Sequence, residues 1–483
     1  MENNLSSKIT SSLAWKILEL IGTQGIQFVV SIVLARILSP TEFGTISLIT
    51  IFLTIANTFV QSGFATALVQ KKEIDGTDYS SVFWVTMALS AVVYIILFLF
   101  APVIAGYYSM PILDPLLRVT GIILFPGAVV SIQTAFVSRE LKFRKLFIGS
   151  LIAVIISGVL AIIFAKGGAG PWAMSLQQII YYFVLMIVML FMISWKPAFV
   201  LKLNRVKVLI GFGWKILVAG LLDTIWTSVY GLVIGKRFSA AELGGYNRGE
   251  QFPKLIATNL GTAIQSVMLP AYSKVQDSVD DLRHMLKSTI QYSAFFLTPM
   301  MAGLIAIAEP MVRVILTDKW LFCVPYLRIF CLSYILWPIH TANLQAINAQ
   351  GRSDLFLKLE ILKKISGIIL LLISIRWGVM MILVFKTINE CFCAIINTAP
   401  NSKLLKYGIG RQLLDMLPSI ICSAIMCAAA WMISLTGLSS GNPIILLIVQ
   451  MAAGVAVYII TSLLINRKTI DALMPAIRNT FRK

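Results

Sequence analysis

Six side chains stand where an ionisable or strongly polar group is expensive. Lys16, Lys215, Asp223, Arg248 and Arg328, with the amide Gln24, all fall within long apolar runs. A charge kept in such a run captures an oppositely charged ligand, carries an ion, or pairs with a neighbour. Lys16 and Lys215 each follow a tryptophan, in the strings Trp-Lys-Ile-Leu at 15–18 and 214–217. Two cations facing each other there could hold an anion such as a diphosphate by charge-assisted hydrogen bonds. Each could equally be a snorkelling amine beside an interfacial tryptophan, and Glu19, three residues after Lys16, is a partner on the same helix face. Asp223 has no cation three or four residues away. Buried in mid-span, it would hold a proton or bind sodium, or else donate to or accept from a neighbouring helix. Arg248 and Lys254 could meet phosphate or sugar oxygens, whereas Glu250 and Lys254 are spaced as an i, i+4 pair. Arg328 is a similar lone cation, so Arg248 and Arg328 join Lys16 and Lys215 as candidate ligand contacts. Lys386 and Glu390 are again spaced as an i, i+4 pair and are expected to be structural.

The elements that position these groups follow from composition. Of 483 residues, 58% are hydrophobic and 13% charged, against about half and a quarter in soluble domains. So few charges cannot cover that much apolar surface in water, and lipid is the natural solvent. A helix needs about 20 apolar residues to cross the hydrocarbon core. Fourteen stretches qualify: 12–37, 44–69, 80–107, 113–136, 145–166, 170–194, 208–235, 243–270, 288–309, 320–347, 355–375, 377–400, 413–436 and 443–465. The fold class is therefore all-α and polytopic. The net charge of +19 is spread over alternate loops instead of one basic domain, which argues against nucleic acid. The loops around Lys71, Arg139, Lys202, Lys287, Arg352 and Lys406, with Lys8 and the tail through Arg482 and Lys483, hold 26 of the 40 Lys and Arg. By the positive-inside rule both termini are cytoplasmic, facing membrane lipids of negative surface potential. The first apolar run is too long for a signal peptide and is expected to be retained. Prolines 126, 253, 270, 299 and 338 fall in or beside spans, where they can kink helices.

The chain contains an internal repeat. After Trp15-Lys16 comes Leu38-Ser-Pro-Thr-Glu-Phe-Gly44; after Trp214-Lys215 comes Phe238-Ser-Ala-Ala-Glu-Leu-Gly244. Gln61-Ser62 and Gln265-Ser266 extend the match about one helical turn out of step, and Gln24 falls opposite Asp223. Each unit has six spans, so the repeats are parallel, with a path between two halves as in many transporters. The expected organisation is a six-helix bundle over 1–200, a second over 201–407, and two extra spans with a basic tail over 408–483.

Four segments carry a family likeness: ARILSPTEFG (35–44), SRELKFRKL (138–146), GGAGPWAMSLQQ (167–178) and AELGGYNRGEQ (241–251). Through them the chain resembles the polysaccharide exporters, Wzx-like flippases of the multidrug/oligosaccharidyl-lipid/polysaccharide superfamily, of the colanic-acid-exporter type. Met174 and Ser175 depart from the apolar run usual there. The resemblance implies two six-helix bundles around a central cavity, alternating access, and an undecaprenyl-diphosphate-linked oligosaccharide as cargo. It also implies an inner-membrane location, with a polysaccharide polymerase and a chain-length regulator as candidate partners.

Other chemistry is missing. There is no G-x-x-x-x-G-K-[ST] loop for ATP and no H-E-x-x-H, and neither His284 nor His340 has metal-ligand spacing. The six cysteines lie in or beside apolar runs without C-x-x-C spacing and read as small hydrophobes. No cofactor, metal or enzymatic activity is expected. Three alternatives stay open: an ion-coupled drug exporter of the same superfamily, a membrane glycan polymerase or ligase, and a scaffold for a synthesis complex. An enzyme acting on a glycan acceptor would need a large outside loop, and the longest here has about ten residues, near 309–320.

Overall fold

The structure, a computed structural model, describes residues 2–61, 63–436 and 442–481. Ser62, Arg482 and Lys483, used above for the repeat and the charge balance, lie outside these. The described residues form helices without a strand. The first group is α1 (Glu2–Ile37), α2 (Pro40–Gln61), α3 (Phe64–Gln70), α4 (Gly76–Tyr108), α5 (Leu113–Thr120), α6 (Leu124–Arg139), α7 (Phe143–Lys166), α8 (Trp172–Met192) and α9 (Leu203–Arg237). The second is α10 (Ala240–Lys274), α11 (Val279–Ile315), α12 (Val324–Tyr334), α13 (Trp337–Ala349), α14 (Ser353–Ser374), α15 (Val379–Leu404), α16 (Ile409–Ser434), α17 (Pro443–Ile465) and α18 (Arg467–Phe481).

Twelve helical stretches among the described residues are long and apolar enough to cross a membrane. Helices α10 and α14 are long enough but too polar to qualify on composition; α14 alone carries Lys358, Glu360, Lys363 and Lys364. With them the fourteen expected spans are all present as helix. Three expected spans are interrupted. The second breaks at Gly63, between α2 and α3. The fourth and tenth contain 3-10 turns at Gly121–Ile123 and Asp318–Cys323. The break at Gly63 has a physical cause: its φ is +92°, and a Cβ there would lie 2.3 Å from the Gly213 carbonyl oxygen. Only glycine meets both conditions. At the matching place, Gln265 and Ser266, α10 runs on unbroken.

The chain divides into two compact units, Met1–Gly244 and Gly245–Lys483. In the first, α1 packs on α7, α7 on α8, α2 on α9, and α6 on α3, α4 and α8. Its main core joins Tyr79, Phe83, Ile132, Val137, Leu146, Leu185 and Trp195. In the second unit, α11 packs along α16 and α17, and α13 and α14 on α15; its core joins Tyr272, Leu286, Ile290, Ile339, Ala394 and Met416. Both units leave apolar stripes outward, such as Ile95, Leu99 and Val103 on α4 and Ile448, Met451, Val455 and Ile459 on α17. Lipid-facing helices have this character, because their backbone groups are satisfied internally and their side chains need no water.

Candidate functional site

The repeat motif has a local explanation. Ser39 is the helix N-cap of α2: its hydroxyl accepts from the Glu42 amide at 3.3 Å, and Glu42 Oε2 accepts from the Ser39 amide at 2.6 Å. This reciprocal capping box satisfies two orphan donors at the helix start. The second copy keeps the N-cap half of it, with Ser239 accepting from the Glu242 amide at 3.1 Å. Glycine follows because the two turns touch through backbone. A Cβ on Gly44 would stand 1.6 Å from the Ala240 oxygen, and one on Gly244 would stand 2.4 Å from the Pro40 oxygen. Glu42 also abuts Gly170, whose φ is +55° and whose Cβ would lie 2.7 Å from Glu42 Oε1. SPTEFG and GGAGPW thus form one junction.

On the face carrying the basic loops, Arg139 of SRELKFRKL donates to the carbonyls of Leu68, Val69, Lys71 and Lys72. Two of these, Leu68 and Val69, are orphan acceptors at the end of α3. Asp75 and Asp78 form the capping box of α4. Arg205 bonds Asp75 at 2.5 Å, and this bond holds the Asp75 carboxyl below the usual carboxylate range.

Between these two ends the first unit contains a cavity of about 580 Å³. Lys16 and Glu19 of α1 enter it, bonded at 2.7 Å. Helix α6 contributes Ser131, Thr134 and Ser138, spaced i, i+3, i+7 and therefore on one stripe. Thr66, Ser150 and Gln61 add polar groups, and Tyr181 with Tyr182 of α8 form an aromatic wall, their rings 5.6 Å apart. One cation, one carboxylate, five aliphatic hydroxyls and two tyrosines suit a ligand with an anionic group and hydroxyl-bearing faces.

Lys16 alone of the six sequence candidates lines this cavity. Lys215 is exposed on α9. Asp223 and Gln24 are also exposed, on α9 and α1. The case for Asp223 as an ion carrier assumed a buried carboxylate, and that premise fails.

In the second unit Arg248 is only 4% exposed. It donates to Gln251 Oε1, and its guanidinium lies 5.6 Å from the Trp320 ring centre. Gln251, one turn along the same helix, is a partner that counting charges alone passes over. Arg328 is half-buried and donates to the Ile305 carbonyl of α11 at 3.3 Å. Arg328 thus ties α12 to α11, whereas the hydrogen bond of Arg248 stays within α10.

Glu250 and Lys254 do pair, at 3.7 Å. Glu250 is also reached by Lys386 of α15, at 2.9 Å, and Lys386 donates to the Tyr246 hydroxyl at 3.0 Å. The expected Lys386–Glu390 spacing gave no sign of this cross-helix bond. Glu390 instead meets His340 of α13, Oε2 to Nε2, at 3.4 Å. Nearby, Asn343, Asn401 and Gln412 form a fully buried amide network across α13, α15 and α16. No group of three or more potential metal ligands occurs among the described residues. Four cysteines are buried; Cys391 is exposed and Cys427 intermediate.

Known proteins align with this arrangement. A lipid II flippase, MurJ, in an inward closed conformation superposes with a TM-score of 0.76 over 95% of this chain and 100% of its own, at 17% identity; the fold is shared. The succinoglycan biosynthesis transport protein ExoT of Rhizobium meliloti (strain 1021) is 27% identical over 334 residues, 69% of this chain and 68% of its own. The lipopolysaccharide biosynthesis protein WzxC of Escherichia coli (strain K12) is 23% identical over 406 residues, 81% and 82% of the two chains. The family described as "Polysaccharide biosynthesis protein" matches residues 33–325, which include both capping-box turns and most of the first-unit cavity. The chain belongs to this family of polysaccharide biosynthesis proteins.

Proposed function

We propose that this chain is a flippase that carries undecaprenyl-diphosphate-linked oligosaccharide repeat units across the inner membrane by alternating access, for assembly of a surface polysaccharide. The observation that carries this is the first-unit cavity, where Lys16 stands among hydroxyl and tyrosine side chains inside a spanning bundle. An ammonium in such a place, held by one carboxylate, attracts phosphate, and the hydroxyl stripe and aromatic wall suit sugar. The names of the related proteins, concerned with polysaccharide export and lipid II, favour the same reading. Glu19 occupies Lys16 until cargo arrives, so the charge is neutralised while the site is empty.

On this reading Lys215, at the matching place on α9, is a second phosphate contact, and the exposed Asp223 and Gln24 belong to the cargo path. The two six-helix halves divide near residue 200, and both termini are cytoplasmic. A polysaccharide polymerase and a chain-length regulator would act on the cargo after release. The protein itself makes and breaks no covalent bond.

The deciding experiment deletes the gene and assays lipid-linked repeat units by leaflet. Accumulation on the inner leaflet, reversed by the intact gene, is expected. Normal surface polysaccharide without accumulation would overturn the proposal.

A further inference from the structure

On the face carrying the basic loops, the second unit holds a cavity of about 600 Å³ that the proposed cargo site does not use. It opens between the first turns of α11 and those of α16, two helices that pack along each other. Asp415 of α16 ties them together here. It accepts from Lys287 at 3.0 Å and from Gln291 at 3.1 Å, both on α11, and from the Tyr407 hydroxyl at 2.8 Å. Lys287 and Asp415 thus neutralise each other, and the pair belongs to the packing of the two helices.

The charges left in the lining are two guanidiniums, Arg283 and Arg411, and two carboxylates, Asp280 and Asp281. Asp280 holds Arg283, but its side chain is 82% exposed. An ion pair so open to water is worth little and exchanges readily. Arg411 makes one bond among the described residues, to the Lys406 carbonyl at 3.3 Å. A guanidinium has five N–H donors, so most of those on both arginines stay available. The side chain of Asp281 has no partner among the described residues.

This balance selects a class of ligand. A purely anionic ligand meets Asp280 and Asp281, and a simple amine meets Arg283 and Arg411. A zwitterion satisfies both signs: a phosphate diester takes charge-assisted bonds from the guanidiniums, and a primary ammonium gives them to the carboxylates. A second observation says what such a zwitterion is attached to. Leu414, in the cavity lining, is followed on α16 by Leu417, Ile421 and Ile425, all exposed. Their spacing, i, i+3, i+7 and i+11, puts them on one stripe of the helix, leading from the cavity into the span. An apolar stripe on the outside of a spanning helix faces acyl chains. A charge-balanced headgroup pocket and a surface for lipid tails are therefore continuous on α16.

We infer that this cavity binds a membrane phospholipid whose headgroup carries a primary ammonium beside its phosphate, with the acyl chains laid along α16. Basic pockets between spanning helices take anionic lipids; here the two carboxylates set the preference for the zwitterion. The bound lipid bridges α11 and α16 and stabilises the unit by mass action. The site is separate from the first-unit cavity and stands whatever that cavity carries.

The test titrates dioleoylphosphatidylethanolamine into the detergent-solubilised full chain and follows bound lipid by native mass spectrometry. Arg411→Gln and Asp281→Asn each change an exposed side chain, and an unfolding midpoint retained in the absence of lipid checks the fold. Each should weaken binding roughly tenfold to a hundredfold, as expected for loss of a hydrogen bond between charged groups. Dioleoylphosphatidylglycerol has the phosphate without the ammonium, so it should bind more weakly and be insensitive to Asp281→Asn. Soluble phosphoethanolamine has the headgroup without the chains and should not compete. Phosphatidylethanolamine binding that survives both variants overturns the site. Tighter binding of dioleoylphosphatidylglycerol, lost in Arg411→Gln, overturns the zwitterion. Competition by phosphoethanolamine at equal concentration overturns the lipid.

Discussion

Gly44 rests directly on the backbone of Ala240, so closely that a Cβ on Gly44 would stand 1.6 Å from the Ala240 carbonyl oxygen. Gly244 returns the contact against Pro40, at 2.4 Å. The opposing atoms are backbone on both sides, so no rotamer change can make room. Small residues allow such close approach between membrane helices, and the packing gained is lost when a methyl group intervenes. Gly44→Ala should therefore lower stability by about 1–3 kcal/mol, seen as a fall in the thermal unfolding midpoint of the detergent-solubilised protein. Gly244→Ala should act in the same direction. The double variant should cost less than the sum, because turns already parted have no second contact to lose. Strict additivity would mean that the two contacts are independent.

Lys16 and Glu19 give the second prediction. Their 2.7 Å bond is replaceable: a diphosphate offers more acceptor oxygens than one carboxylate. Lys16→Ala should weaken binding of undecaprenyl diphosphate roughly tenfold to a hundredfold, as expected for loss of a hydrogen bond to a charged group. Lys16→Arg should keep most of the affinity, and Glu19→Gln should raise it by releasing the amine. Titration of the lipid into purified protein reads all three. If Lys16→Ala binds as tightly as the native chain, Lys16 is an anchor like any interfacial lysine.

How much of this was legible in the sequence differs between the spans and the charges. Twelve of the fourteen spans could be read because hydrophobic length decides whether a helix can cross a bilayer; α10 and α14 are helices at the expected places but lack the apolar composition. The breaks could not, since Gly63 is required by a contact with Gly213, 150 residues away in the chain. The repeat motifs stood out for a reason different from the one their polarity suggested: Ser39, Glu42 and Gly44 cap and pack. Among the charges, sequence spacing finds partners one turn away, such as Glu19 for Lys16. It cannot find a partner on another helix, so the Lys386–Glu250 and Glu390–His340 contacts were invisible. Asp223 shows a second limit: a mid-span position does not say which side of the helix is covered, and this side chain is exposed on α9.

Arg248 supplies the third prediction. Its sequence position suggested a cavity cation whose loss would impair export and spare the protein. The structure places its guanidinium 4% exposed, donating to Gln251 and set against the Trp320 ring. Removing it would take a donor from the Gln251 side-chain oxygen and a cation from the Trp320 ring, and open a hole beside Gly249, which is packed tightly on Tyr326. Losing a hydrogen bond made by a charged group alone costs about 1.5–3 kcal/mol. Arg248→Ala should therefore lower both the unfolding midpoint and the amount of protein in the membrane, and export should fall in proportion to that amount. Arg248→Lys keeps the charge but loses the planar group that stacks on tryptophan, so it should rescue only part of the stability. The measurement is export per folded molecule. A value near native in Arg248→Ala fits a structural arginine; a value far below native at undiminished protein levels would return Arg248 to the cargo path.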